Sequence, residues 1–150
     1  MKYLNEQTFK TVVDSTPLVS IDLVVKNSKR QALLGYRTNR PAQNYWFVPG
    51  GRVLKNETLD SAFLRLTKAE LGISCRREQA EFLGVYEHFY DDSALDEQIS
   101  THYVVLGYVL HLDVELSSLP NEQHNQYRWF YDEEIMKSDN IHRHTKWYFE

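Results

Sequence analysis

Apolar positions divide the chain into short segments of helical and extended period. Asn5 precedes an acidic first turn at Glu6, and Phe9, Val12 and Val13 recur at the i, i+3, i+4 spacing of one helix face. This predicts a short amphipathic helix over residues 4–13, closed off by Pro17. Leu18 to Val25 is β-branched and nearly continuous, 26–30 reads as a turn, and Gln31 to Arg37 returns as a second strand, so a hairpin is expected. Asp22 lies inside the first, otherwise apolar, strand. After a polar loop over 38–44, Tyr45 to Val48 forms a short strand ended by Pro49-Gly50-Gly51, where paired glycines permit positive φ or close approach of backbone to something bound. Leu59, Ala62, Phe63, Leu66 and Ala69 then recur at helical spacing with Gly72 as the stop, which predicts a helix over roughly 58–71. Strands over 81–90 and 101–112, joined through the acidic loop Asp91-Asp92-Ser93, are followed by a short strand at 127–131 and a terminal helix at 141–149. The order is that of an α+β fold, a mixed β-sheet sandwiched between helices.

Length and composition narrow the function. The 150 residues suit one domain spanning 1–150, and 42% hydrophobic with 25% charged residues excludes a disordered or fibrous chain. Seventeen Lys and Arg against 21 Asp and Glu give a net charge of −4, which argues against nucleic acid or an acidic membrane as main partner. No apolar run approaches the ~20 residues needed to span a bilayer, and Met1-Lys2-Tyr3-Leu4-Asn5 opens no signal-peptide core. The single cysteine, Cys75, allows no intrachain disulfide and is expected as a structural or exposed thiol. A cytoplasmic setting is the default expectation. Ten tyrosines exceed what a small core needs, so some rings are expected to line a cleft or an interface.

The chemistry concentrates around the 58–71 helix. From Gly51 the chain runs five residues to Glu57, seven to Arg65, and on through Leu66-Thr67-Lys68-Ala69-Glu70-Leu71-Gly72-Ile73. This resembles the Nudix box, G-x5-E-x7-R-E-U-x-E-E-x-G-U, a loop-helix-loop that binds Mg²⁺ on nucleoside diphosphates linked to another group. Gly51, Glu57, Arg65, Glu70, Gly72 and Ile73 match in register, whereas Leu66 and Ala69 stand where the box has Glu. Residues 66, 69 and 70 are neighbours on one helix face, so of that carboxylate trio only Glu70 remains. One carboxylate with a carbonyl, waters and substrate phosphates still suits one hard cation. It does not suit several, and an attack on phosphorus that needs extra metals loses its support.

This departure is similar to the GDP-mannose mannosyl hydrolase (GDP-mannose glycosyl hydrolase) branch of the Nudix family. The runs that carry the resemblance are 15–20, 37–43, 45–53, 101–107 and 139–142. It implies a Nudix fold, and hydrolysis of GDP-mannose, and GDP-glucose with it, to GDP and free sugar by inverting attack of water on the anomeric carbon. It also implies one Mg²⁺ per subunit, which Mn²⁺ can replace, a small-molecule nucleotide-sugar substrate and a homodimer. By position, the metal ligands are the Gly50 carbonyl, Glu70 and Gln123. His124 is the general base, which on sequence alone reads as an exposed loop histidine. Arg37, Arg52 and Tyr103 donate to the diphosphate, and Phe9, half core by its pattern, meets the base.

Several residues keep two readings. Arg65 either pairs with Glu57 or contacts phosphate. Asp22 is either a buried, hydrogen-bonded polar residue or a carboxylate facing the sugar, and the resemblance favours the second. His88 and Tyr90 are further candidates for the lining. His142 and His144, at i and i+2, share no helix face and are expected on the surface. Three functions stand side by side: an inverting GDP-mannose hydrolase, an ordinary Nudix pyrophosphohydrolase cleaving a P–O bond, and a nucleotide-binding module without turnover.

Overall fold

Alternation of burial along one strand organises the molecule. In the computed structural model, which describes residues 3–120 and 126–150, strand β1 (Leu18–Lys26) points Ile21, Leu23 and Val25 into one apolar cluster and Val24 into another. The first cluster is completed by helix α2 (Leu59–Leu71) through Ala62, Phe63, Leu66 and Leu71. The second is completed by C-terminal residues, among them Phe130, Ile135, Ile141 and Tyr148. A strand buried on both faces reads as the continuous apolar run seen in the sequence.

Around β1 the described residues form a seven-stranded mixed sheet. Strand β2 (Gln31–Tyr36) follows the turn, and β3 (Trp46–Phe47) and β4 (Gly50–Arg52) follow the polar loop. Strands β5 (Glu81–Tyr90) and β6 (Thr101–His111) form the long antiparallel ribbon, and β7 (Tyr127–Tyr131) pairs with β2. Strand β6 runs parallel to β1 along its whole length, from Leu18↔Tyr103 to Lys26↔His111. Helix α1 (Glu6–Ser15) precedes the sheet, while α3 (Asp132–Lys137) and α4 (Arg143–Lys146) close the chain. The expected fold, a mixed sheet between helices, is the observed one.

Local signals explain the helices. Asn5 caps α1, its side chain accepting from the Thr8 amide at 2.8 Å, and Thr58 caps α2, accepting from the Ser61 amide at 3.1 Å. Gly72 ends α2 with φ +78°, where a β-carbon would be strained. Three expectations need correction. The 18–25/31–37 hairpin closes only at its turn end, Lys26↔Ala32, because β4 and β7 take the remaining edges of β1 and β2. The glycine pair is not a loop but strand β4, and neither glycine has positive φ. Close approach is what requires them: a β-carbon on Gly51 would sit 2.4 Å from Leu66 Cδ2, and one on Gly50 would sit 2.5 Å from Asp22 Oδ1. Finally, the terminal helix covers only 143–146 before tightening into a 3₁₀ turn, and α3 went unpredicted because Ile135 is its sole buried side chain.

Leu66, where the box pattern has Glu, is 3% exposed and belongs to the α2 core. Leu66→Glu would bury a carboxylate among apolar neighbours and against Gly51. The expected outcome is a loss of at least about 2 kcal/mol in urea unfolding, whereas an undiminished midpoint would show that the site is open to solvent.

Candidate active site

One face of the sheet carries a cavity of about 310 Å³. Pairing of β1 with β4 sets Ser20 beside Arg52 and Asp22 beside Gly50, so every second residue of the two strands faces the same side. Pairing of β6 with β5 adds Tyr103 beside His88 and Thr101 beside Tyr90. Phe9 of α1 and Phe47 of β3 close the sides, and Ser93, Ala94 and Leu95 of the β5–β6 loop complete the rim. Phe9, Asp22, Arg37, Gly50, Arg52 and Tyr103 thus meet in one cavity, together with His88 and Tyr90. The surplus of aromatic residues is partly accounted for there.

The two cavity arginines are held differently. The Arg52 guanidinium lies 4.3 Å from the centre of the Phe9 ring, a cation–π contact. Arg37 donates from Nε to the Pro41 carbonyl at 3.1 Å and from Nη2 to the Arg40 carbonyl at 3.2 Å. Both contacts hold a planar cation at the wall of the cavity.

Arg65 is not among the lining residues. It donates to both carboxylate oxygens of Glu57, at 2.7 and 3.0 Å, and from Nη2 to the Arg52 carbonyl at 2.7 Å. Glu57 in turn accepts from the Leu54 amide at 3.0 Å. Of the two readings the structure favours pairing. The same hydrogen bonds from Arg65 hold the Glu57 carboxyl below its usual range.

Asp22 stands at the back of the cavity. The Tyr148 hydroxyl donates to its Oδ2 at 2.6 Å. Burial raises its pKa to about 7, against a smaller lowering by that hydrogen bond. Behind it lies a wall of rings that was not foreseen. His88 and His144 stack at 4.4 Å with 11° between planes, His142 stacks on Phe47 at 5.1 Å, and Tyr90 meets His144 edge-on at 4.9 Å. His144 is 1% exposed and His142 half-buried, which corrects the expectation of surface histidines. The helical-face argument fails because His142 precedes α4 as its cap, its Nδ1 accepting from the His144 amide at 3.1 Å. Burial pushes His88 and His142 down to about 4 and His144 to about 3, so all three are neutral near pH 7. Cys75 is buried, with its amide donating to Thr67 Oγ1 at 2.9 Å.

Glu70 does not line the cavity. It is 2% exposed on α2, one helical turn beyond Leu66, and its charge adds to the burial that raises the Tyr127 hydroxyl to about 12. Ala69 is exposed. No group of three or more His, Cys, Asp or Glu side chains suited to a metal ion occurs among the described residues. One buried carboxylate and the Gly50 carbonyl are an all-oxygen set, which fits a single hard cation completed by water and phosphate. Gln123 and His124 lie outside the described residues. The sequence reading missed Tyr148, Phe47 and the 93–95 rim; a tyrosine close behind two histidines in an aromatic-rich chain was the available signal.

Comparison with known proteins follows the same line. The NUDIX domain model matches residues 16–150. A protein of Haloferax volcanii, Low-salt glycan biosynthesis protein Agl8, is 40% identical over 125 residues, covering 83% of this chain and 78% of that one. The MutT NUDIX hydrolase of Burkholderia pseudomallei superposes with a TM-score of 0.69 at 24% identity, over 90% of this chain and 97% of the other. The MutT protein of Methanosarcina mazei Go1 gives 0.68 at 21% identity, over 90% and 92%. The two structures speak for the fold.

The raised Asp22 pKa has a consequence for stability. Between 3.8 and about 7 the folded state binds more protons at Asp22 than the unfolded state, so stability falls as pH rises through that window. Asp22→Asn should therefore raise the unfolding free energy at pH 8, by about a few kcal/mol in urea unfolding, and the gain should shrink toward pH 4. A gain that is absent at pH 8 would contradict the burial of this carboxylate.

Proposed function

This chain belongs to the Nudix family of hydrolases, and on that premise we propose that it hydrolyses GDP-mannose, and GDP-glucose with it, to GDP and the free sugar. Water attacks the anomeric carbon and the configuration inverts. Nudix hydrolases generally use a divalent metal such as Mg²⁺, and the Gly50 carbonyl, Glu70 and Gln123 are the residues that would hold one ion here, with Mn²⁺ able to substitute. Bound there, the cation would offset charge on the leaving diphosphate.

The observation that carries this reading is a contrast between the two sides of β4. On the helix side, Leu66 is core and Ala69 is exposed, so the box offers Glu70 without its two usual companions. On the cavity side, Asp22 is the carboxylate among the lining residues, and Arg37, Arg52 and Tyr103 share the cavity with it. Positive charge that develops at an anomeric carbon is stabilised by a carboxylate, and negative charge on a departing diphosphate by guanidinium groups. That division suits carbon attack better than attack on phosphorus. Phe9, with Arg52 against its ring, is the proposed seat of the base. His124 is the proposed base on the attacking water, since an imidazole titrates near operating pH. The Haloferax relative is named for glycan biosynthesis, which supports a sugar-bearing substrate. A homodimer and a cytoplasmic setting belong to the same proposal, with neither nucleic acid nor membrane as partner. No helix among the described residues is long and apolar enough to cross a membrane.

Hydrolysis of GDP-mannose with Mg²⁺ in ¹⁸O-water tests the reading by mass spectrometry of the products. Label in mannose is the expected outcome. Label in phosphate would replace this reading with P–O cleavage, and absence of turnover would leave a nucleotide-binding module.

A further inference from the structure

Asp22 is flanked on both neighbouring strands by glycine: Gly50 on β4 and Gly107 on β6. The two absences serve different purposes. A β-carbon at Gly50 would lie 2.4 Å from the Ile21 carbonyl oxygen and 2.5 Å from Asp22 Oδ1, so that glycine lets β4 approach the β1 backbone and leaves room for the carboxylate. A β-carbon at Gly107 would lie 3.2 Å from the Tyr148 ring and 3.3 Å from the Tyr86 ring, so this glycine makes room for aromatic rings lying over the sheet. Tyr148 is buried there, edge-on to Tyr86 at 4.6 Å. From that seat its hydroxyl spans 126 positions of sequence to reach Asp22 Oδ2. His88 Nε2 lies 3.4 Å from the same hydroxyl. Because the hydroxyl proton is directed at Asp22, that contact is satisfied by the tautomer in which His88 Nε2 donates to the Tyr148 oxygen. The stacked His144 ring backs His88.

We propose that Tyr148 is the positioning residue for Asp22: its hydroxyl, held by Tyr86, Gly107 and His88, fixes Oδ2 so that the carboxylate keeps one orientation toward the sugar. The inference rests on the role given to Asp22 in the proposed reaction. Tyr148 is not among the lining residues of the cavity, so it acts through Asp22. A carboxylate between two glycines has no side chain directly opposite it on either strand, and the Tyr148 hydroxyl supplies the restraint. A hydrogen bond to a charged acceptor is among the stronger ones a side chain makes, and a carboxylate free to rotate loses the alignment that stabilisation of a developing charge requires.

Tyr148→Phe keeps the ring and its packing and removes only the hydroxyl. In GDP-mannose hydrolysis with Mg²⁺, kcat should fall about 10–100-fold, the span that a hydrogen bond to a charged group commands, while KM and GDP affinity stay within about two-fold. In an Asp22→Asn background the same substitution should change kcat by less than two-fold, because the restrained charge is already gone. A folded Tyr148→Phe protein with kcat within two-fold of the parent, or an equal loss in both backgrounds, would overturn the assignment. A readout without turnover separates this from failure of the reaction itself. The ¹³Cγ resonance of Asp22 in metal-free protein at pH 9 should move on Tyr148→Phe, and an unmoved resonance overturns the proposal whatever the substrate proves to be.

Discussion

Burial of strand β1 on both faces is the constraint from which the site follows. Neighbouring strands occupy both of its edges, so a polar side chain on it must either border a cavity or find a partner inside the protein. Asp22 does both. Its cavity face meets Arg37, Arg52 and Tyr103 across open space, and its inner oxygen is taken by Tyr148. The cost of placing a carboxylate there appears as its raised pKa, and the glycines on β4 and β6 are the local accommodation.

Strand β4 connects this cavity with the box helix. Gly51 lies against Leu66 on one side of the sheet and Gly50 against Asp22 on the other, so a three-residue strand transmits the position of α2 to the cavity floor. The Arg65–Glu57 pair braces the connection through the Arg52 carbonyl and the Leu54 amide. Charged partners of this kind, partly shielded from water and joined through both carboxylate oxygens, hold geometry more than they add stability. Arg52 is thereby tied at its backbone while its guanidinium stays over Phe9.

Much of this was legible in residue order. The periods of α2 and of the strands, the Asn5 cap, the Gly72 stop and the spacing from Gly51 to Gly72 are local features, and local features survive into the fold. Asp22 stood out because it interrupts an apolar run. What was not legible depends on contacts distant in sequence. Tyr148 matters through a residue 126 positions away, and His144 is buried because His88 and Trp147 cover it. The reading of 141–149 as one helix also misplaced its histidines, since a cap residue and a helical residue two apart need not point to different sides. Gln123 and His124 rest on resemblance to the family and lie outside the described residues.

The central claim is that the retained carboxylates serve a reaction at carbon. Its most direct measurement is ¹H NMR of freshly formed product from GDP-α-mannose with Mg²⁺, before mutarotation equilibrates the anomers. Inverting carbon attack predicts GDP together with β-mannose at the earliest times. α-Mannose 1-phosphate together with GMP would contradict the account, because it places the attack on phosphorus.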